Sequence, residues 1–399
     1  MQKPFKVLLK AGKDASLRRF HPWVFSGAIQ KMPLGITDGT PVEVFDSSDQ
    51  YLGAGVYQDA TIAIRMLAFA PERPEITSKE FWYRKIARAY AWRESCGLTK
   101  AEGTNIYRLV NGEGDHLPGI IIDNYNGHLV VQVHATGMYP YFDQIAQALQ
   151  NVYGAALKSI SDKSRETLPD SFWEGRSFNG NVTGESGIIE VKEYGHRFLV
   201  DLEKGQKTGF FIDQRENRKL LEPFAHGRKI LNTFCYSGGF SVYGLKGGAT
   251  EVYSLDSSAK AIELARQNVE LNFGVDPRHH LIQADALQYL RHSGDTYDII
   301  ILDPPAFAKH THVKHNALQG YKRLNYEAIK HVLPGGLLFT FSCSQVIDMP
   351  LFRGAILAAA IEAGRPVRVV HQMGQPADHP VNVFHPEGEY LKGLILLID

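Results

Sequence analysis

The hydrophobic pattern changes period along the chain. Up to about Phe69, short alternating runs are separated by turn residues: Thr40–Phe45 (T-P-V-E-V-F), Leu52–Tyr57 and Thr61–Leu67. Runs of period two broken by Gly and Asp-Ser-Ser predict a small β-barrel or sandwich. Pro71–Pro74 (P-E-R-P) reads as a linker. Ser78–Cys96 reads as a helix, with Ser78 as cap, Glu80 in the first turn and Gly97 as the stop. Tyr107–Val110, Gly119–Asp123 and His128–Val133 then predict strands, Tyr139–Tyr153 an amphipathic helix, and Glu190–Leu202 strand-like alternation. From about Lys204 strands and helices alternate. Strands are expected at Lys229–Asn232, Glu251–Leu255, His280–Gln283, Ile299–Leu302 and Leu337–Ser342. Helices are expected from Phe240 onward and over Ala259–Asn272, Tyr326–Val332 and Leu351–Ala363. That rhythm predicts an α/β fold with a mainly parallel, Rossmann-like C-terminal sheet. The expected domains are 1–73, 74–190 (central α+β) and 191–399.

Composition narrows the class. A chain of 399 residues exceeds one ordinary core, and 44% hydrophobic with 22% charged residues is a globular balance. No apolar run approaches the roughly 20 residues a bilayer demands, so no membrane partner is expected. Met1–Lys13 lacks the apolar stretch of a signal peptide. Three scattered cysteines (Cys96, Cys235, Cys343) without a C-x-x-C pair suit a reducing, cytoplasmic setting, and argue against a disulfide scaffold or a structural zinc site. Lys+Arg 43 against Asp+Glu 43 cancel, which argues against nonspecific nucleic-acid binding but not against a local basic patch. Such a patch runs through Lys309, His310, His312, Lys314, His315, Lys322 and Arg323. Its histidines lack an accompanying Cys or carboxylate, so a solvated or RNA-contacting loop is expected and no metal. Lys309, Lys314, Lys322 and Arg323 are the expected phosphate contacts. In the first segment Arg18, Arg19 and His21, with Trp23 and Phe25, offer either charge plus stacking for RNA or a core aromatic pair with a solvated basic edge.

Two strand ends carry the candidate chemistry. L-D-P-P-A-F (Leu302–Phe307) and T-F-S-C-S (Thr340–Ser344) each close an apolar run, placing Asp303 and Cys343 beyond the carboxyl ends of strands, where α/β sheets collect ligands. Pro304 and Pro305 stiffen the chain into a ledge where a planar base can lie against Phe307. Upstream, L-N-T-F-C-Y-S-G-G-F enters a Gly turn at a helix start, and Asp256 ends the next strand, 18 positions after Gly238. A carboxylate there suits ribose hydroxyls, and Asp285 after the third strand suits an adenine amino group. The turn is not the glycine-dense G-x-G-x-x-G that cradles a pyrophosphate, which favours S-adenosylmethionine over NAD.

These residues match a known family. The chain resembles the S-adenosylmethionine-dependent 23S rRNA cytosine-5 methyltransferases that carry an N-terminal PUA domain. The resemblance covers nearly the whole length. It includes R-R-F-H-P-W-V-F-S-G-A-I (Arg18–Ile29), R-L-V-N-G-E-G-D-H-L-P-G (Arg108–Gly119) and K-T-G-F-F-I-D-Q-R-E-N-R (Lys207–Arg218). The strand-end motifs and the tail A-D-H-P-V-N-V-F-H-P-E-G-E-Y-L-K-G (Ala377–Gly393) complete it. The resemblance implies a PUA domain, a central α+β domain and a methyltransferase domain. It also implies Cys343 as nucleophile, Asp303 at the cytosine edge, Pro304 and Phe307 against the base, and ribosomal RNA as partner. Cofactor contacts are expected from Gln214, Arg215, Phe234, Tyr236, Ser237, Gly238, Asp256, Ser257, Asp285 and Ala286. Many other RNA cytosine-5 methyltransferases place a second cysteine beside D-P-P. Pro305 and Ala306 stand there instead, leaving the proton acceptor unassigned. Cys235 reads as packing and Cys96 as structural. A guanine-directed enzyme (amino or N7), an assembly factor with an inactive methyltransferase fold and, more distantly, an NAD-dependent dehydrogenase are the alternatives. The sequence leaves oligomeric state open, a homodimer included.

Overall fold

A computed structural model describes residues 4–307 and 314–399. The chain forms two compact units. One comprises Met1–Ile189, Val200–Phe210 and Ala377–Gly388; the other comprises Glu190–Leu199, Phe211–Pro376 and Glu389–Asp399.

The first unit holds two sheets. Six strands pair in the order Trp23–Phe25, Ile62–Phe69, Tyr51–Tyr57, Pro41–Phe45, Phe5–Leu9 and Ile29–Lys31. The predicted alternation is realised: in Pro41–Phe45 the side chains of Val42 and Val44 are buried and join Val7, Leu9 and Ile64 in one core. The second sheet runs Asn181–Thr183, Ser159–Asp162, His128–Val133, Ile120–Tyr125 and Ile106–Asn111. Helices Lys79–Ser95 and Phe142–Tyr153 share its core through Trp82, Ile86, Ile145 and Leu149. Ser78 caps the first of these, its hydroxyl accepting the Phe81 amide at 3.2 Å. Residues 377–388, expected within the final domain, belong to this unit. Arg93, fully buried, donates to both Asp115 oxygens (2.5 and 2.8 Å), to the Arg108 carbonyl (2.7 Å) and to the Asp378 carbonyl (2.6 Å). At Gly114 a Cβ would sit 1.9 Å from the Pro380 carbonyl oxygen, so only glycine admits this return of the tail.

The second unit is built on a seven-stranded sheet. Its order is His279–Gln283, Glu251–Asp256, Lys229–Thr233, Tyr297–Leu302, Val332–Ser342, Lys392–Ile398 and Val367–Met373. The first five are parallel, and Lys392–Ile398 runs antiparallel to both neighbours. Helices Gly239–Lys246, Ala259–Phe273, Ala286–His292, Lys314–His331 and Met349–Ala363 connect the strands. The helix expected over Tyr326–Val332 begins at Lys314, twelve residues earlier, and Val332 opens the following strand. Its polar first half obscured the signal, yet Ala317, Tyr321 and Leu324 bury one face at helical spacing. His315 therefore sits, exposed, on a helix, not in the loop expected for it. His310, His312 and Lys309 lie outside the described residues. Among the described residues no helix is long and apolar enough to cross a membrane.

Candidate active site

Register brings four strand ends to one edge. Thr233 is opposite Leu255 and Leu302, and Leu302 is opposite Thr340. The turn Phe234–Gly238, Asp256, Asp303 and Cys343 therefore follow the carboxyl ends of adjacent strands. Strand order reverses between Lys229–Thr233 and Tyr297–Leu302, which opens a crevice there.

The turn after the first strand alternates hand. Phe234, Tyr236 and Gly238 have φ of 55°, 44° and 70°. Two non-glycine residues held in this sparsely populated region mark a backbone fixed by its surroundings. Asp256 does part of the fixing: its Oδ2 accepts the Tyr236 amide (3.1 Å) and its Oδ1 the Ser258 amide (2.9 Å). Each oxygen keeps a second lone pair, which suits ribose hydroxyls. Behind the turn, Asn232 donates to Ser241 (2.9 Å), Ser241 shares a hydrogen bond with Ser254 (2.6 Å), and Ser254 with His279 Nε2 (2.8 Å). This buried chain ties the helix Gly239–Lys246 to three strands.

On the other side of the crevice, Asp303 is half-buried and its Oδ1 accepts Gln214 Nε2 at 3.0 Å. Gln214 Oε1 in turn accepts Asn217 Nδ2 at 2.6 Å. The Lys207–Arg218 motif is clamped by Arg218, which donates to both Glu193 oxygens (2.7 Å each) and to the Phe211 carbonyl (3.0 Å). Tyr390 from the tail motif donates to Asp213 at 2.7 Å. Cys343 is half-buried, with Sγ 3.9 Å from the Pro304 carbonyl oxygen. Phe307 is exposed, its ring 4.7 Å from that of Tyr321.

Residues 109–385 match the S-adenosylmethionine-dependent methyltransferase family, and residues 7–69 match the PUA-like domain. The chain belongs to this methyltransferase family. Across 97% of its length it is 37% identical to the ribosomal RNA large subunit methyltransferase I of Serratia proteamaculans, covering 98% of that protein. The protein of the same name from Escherichia coli K12 is 38% identical over 97% of this chain and 98% of its own length. The fold is shared with a candidate SAM-dependent methyltransferase from Streptococcus mutans (TM-score 0.82, 22% identity, 98% and 99% of the two chains). It is also shared with SMU.776, a candidate methyltransferase complexed with SAH (TM-score 0.83, 23% identity, 98% and 99% covered).

The donor set of this methyltransferase suits S-adenosylmethionine. Carboxylates stand at successive strand ends beside an aromatic turn, and the glycine cradle that a pyrophosphate needs is absent from that turn. The remaining expected contacts fall as follows. Ser237 is buried, and its carbonyl accepts Asn268 Nδ2 (2.8 Å). Ser257 is exposed at the strand end. Asp285 caps the helix Ala286–His292 by accepting the Gln288 amide (2.9 Å), and Ala286 is buried under it. Arg215 is buried, with Nε donating to Glu216 (3.0 Å). Lys322 pairs with Glu362 at 2.6 Å, on the face packed against Met349–Ala363, whereas Arg323 is exposed. Burial pushes the Cys235 thiol far above its usual range, in keeping with a packing role.

In the first unit, Arg18 binds Asp14 and Asp46, and Trp23 Nε1 donates to Glu113 at 2.8 Å; Phe25 is exposed. His21, His385 and Glu387 bring three ligand atoms within 4.8 Å of one another. His21 Nδ1 accepts the Trp23 amide (3.2 Å), and its Nε2 lies 3.8 Å from Glu387.

Proposed function

We propose that this methyltransferase acts on ribosomal RNA of the large subunit, methylating carbon 5 of a cytosine through a covalent Cys343 adduct. The observation that carries the reading is the placement of a half-buried thiol beside the Pro304 carbonyl, one strand from Asp303 and on the same edge as the cofactor turn. The names of the ribosomal RNA relatives and the PUA-like match support the substrate class.

Carbon 5 of cytosine is a weak nucleophile, and the residues present answer that problem. Addition of the Cys343 thiolate to carbon 6 makes carbon 5 enamine-like. Asp303, held by Gln214, faces the N3/N4 edge; in its protonated form it passes its proton to N3 as the thiolate adds, so that no anion builds up on the ring, and takes it back when the thiolate leaves. Phe307 offers a flat, exposed face for the base, which must leave its stack to reach the thiol. Asp256 and the Phe234–Gly238 turn would hold S-adenosylmethionine, which would supply an electrophilic methyl group to carbon 5 and leave as S-adenosylhomocysteine. After methylation a base takes the carbon-5 proton, the carbon 5–carbon 6 double bond re-forms, and Cys343 departs as thiolate.

The test is mass spectrometry of large-subunit RNA incubated with the wild type and with Cys343→Ala. Wild type should yield 5-methylcytosine and the variant none, while retaining S-adenosylmethionine binding. Full methylation by the variant would exclude the covalent route. A methylated guanine, or no methylation by the wild type, would replace the cytosine reading by a guanine-directed enzyme or an assembly factor.

A further inference from the structure

The strand Lys392–Ile398 brings a buried cation to the nucleophile's edge. Lys392 lies opposite Ser342 in the antiparallel pairing and is 2% exposed. Its Nζ donates to the Ser344 carbonyl (2.7 Å) and to the Tyr390 carbonyl (2.7 Å). Ser344 follows Cys343 directly, so the ammonium sits at the peptide next to the thiol and within its electrostatic reach. Two bridged carbonyls explain where the amine points but not why a charge is kept there. Moving an ammonium out of water costs several kcal/mol, and a neutral donor would join the same carbonyls without that penalty.

We propose that Lys392 is a positioning residue for Cys343: its fixed ammonium is the counter-charge of the attacking and departing thiolate. The inference rests on the reading of Cys343 as nucleophile. The thiol proton goes to solvent, the ammonium keeps its three, and no other bond changes. Other titratable groups lie near this pair. Tyr321 on the helix Lys314–His331 shares a hydrogen bond with Ser344 (3.0 Å), and burial raises its phenol further from ionisation. Asp303 stands at the neighbouring strand end, and Asp348 and Glu389 lie near enough to favour the ammonium. Burial, the dominant influence, draws the Lys392 amine down to about 8. The cation is therefore present below about pH 8 and lost above it, so its help to the thiolate is confined to the lower range.

Alkylation of the full-length protein by iodoacetamide tests this, with the Cys343 peptide resolved by mass spectrometry from those of Cys96 and Cys235. A nearby opposite charge lowers a thiol pKa, and one unit of lowering is a tenfold change in thiolate fraction below the pKa. Between about pH 5.5 and 8, Lys392→Met should therefore alkylate at Cys343 roughly tenfold more slowly than wild type. Lys392→Arg should recover most of the rate, and the difference should fade above pH 8. Coincident pH–rate profiles for wild type and Lys392→Met would overturn the proposal. If Lys392→Met does not fold, the wild-type profile decides: a Cys343 midpoint at the ordinary thiol value of about 8.5 overturns it, and a lower one upholds it. Alkylation needs neither RNA nor cofactor, so its failure is distinct from failure of the covalent route, which Cys343→Ala tests separately.

Discussion

Substitution of Gly238 by alanine probes the cofactor turn at its tightest point. Gly238 has φ of 70° and begins the helix Gly239–Lys246, with its amide donating to the Cys235 carbonyl at 2.7 Å. A side chain in the left-handed region costs about 1–2 kcal/mol. A Cβ there would also lie 2.9 Å from Ala265 Cβ and 3.0 Å from Ala265 Cα, on a helix whose backbone cannot yield locally. Overpacking of that kind costs about 1–3 kcal/mol, for a total of roughly 2–5 kcal/mol. In a unit of this size that corresponds to a fall in melting temperature of roughly 4–20 °C. The turn must shift to relieve the contact, carrying the Tyr236 amide away from Asp256, so S-adenosylmethionine affinity should fall at least about tenfold. Scanning calorimetry and ligand titration measure both effects. Ala265→Gly alone should cost about 1 kcal/mol as a helix-interior glycine. Combined with Gly238→Ala it removes the Cβ–Cβ contact, so the double-mutant cycle should show a favourable coupling of about 1 kcal/mol. A Gly238→Ala protein with unchanged melting temperature and affinity, or a strictly additive cycle, would mean that Ala265 and the left-handed φ do not confine this position to glycine.

Two further outcomes follow from the site's supports. Glu193→Ala leaves the buried Arg218 guanidinium without its carboxylate and should destabilise the second unit by about 3–5 kcal/mol in thermal unfolding; Glu193→Leu with Arg218→Met should recover most of that loss. Asp303→Asn keeps the size of the side chain but must turn its one carbonyl to Gln214, presenting NH2 to a cytosine amino group. Steady-state kinetics should show kcat/KM down by about 10²–10³ with S-adenosylmethionine affinity unchanged; a near-wild-type rate would remove Asp303 from proton transfer to N3.

Much of this architecture is visible in the pattern of the chain. Strand-end residues can be read from sequence because each closes an apolar run, and the registers Thr233–Leu302 and Leu302–Thr340 put those ends on one edge. Ser78 is legible as a cap because capping is local. What escapes the sequence is contact between distant positions. Gln214 reads as a cofactor contact, and its amide also reaches Asp303, 89 residues away, which no local pattern reveals. Lys322 reads as a phosphate contact, yet Glu362 occupies it. Lys392 stands in the sequence only as one residue of the Ala377–Gly393 motif with no role attached, because its proximity to Cys343 arises when the last strand inserts antiparallel beside Val332–Ser342. The polar first half of Lys314–His331 hides a helix whose buried face emerges only once Tyr321 and Leu324 meet the sheet. Periodicity reports burial on one element, and pairing across elements leaves no period.

The most direct measurement is covalent trapping on large-subunit RNA fragments carrying 5-fluorocytosine. Fluorine at carbon 5 cannot be removed as a proton, so an enzyme that adds its thiolate to carbon 6 and methylates carbon 5 stays attached. An RNA–protein adduct should form that survives denaturing electrophoresis, requires S-adenosylmethionine, maps to the Cys343 peptide and disappears in Cys343→Ala. Methylation of natural RNA by the same preparation with no adduct on the fluorinated RNA, or an adduct mapped to Cys96 or Cys235, would contradict it.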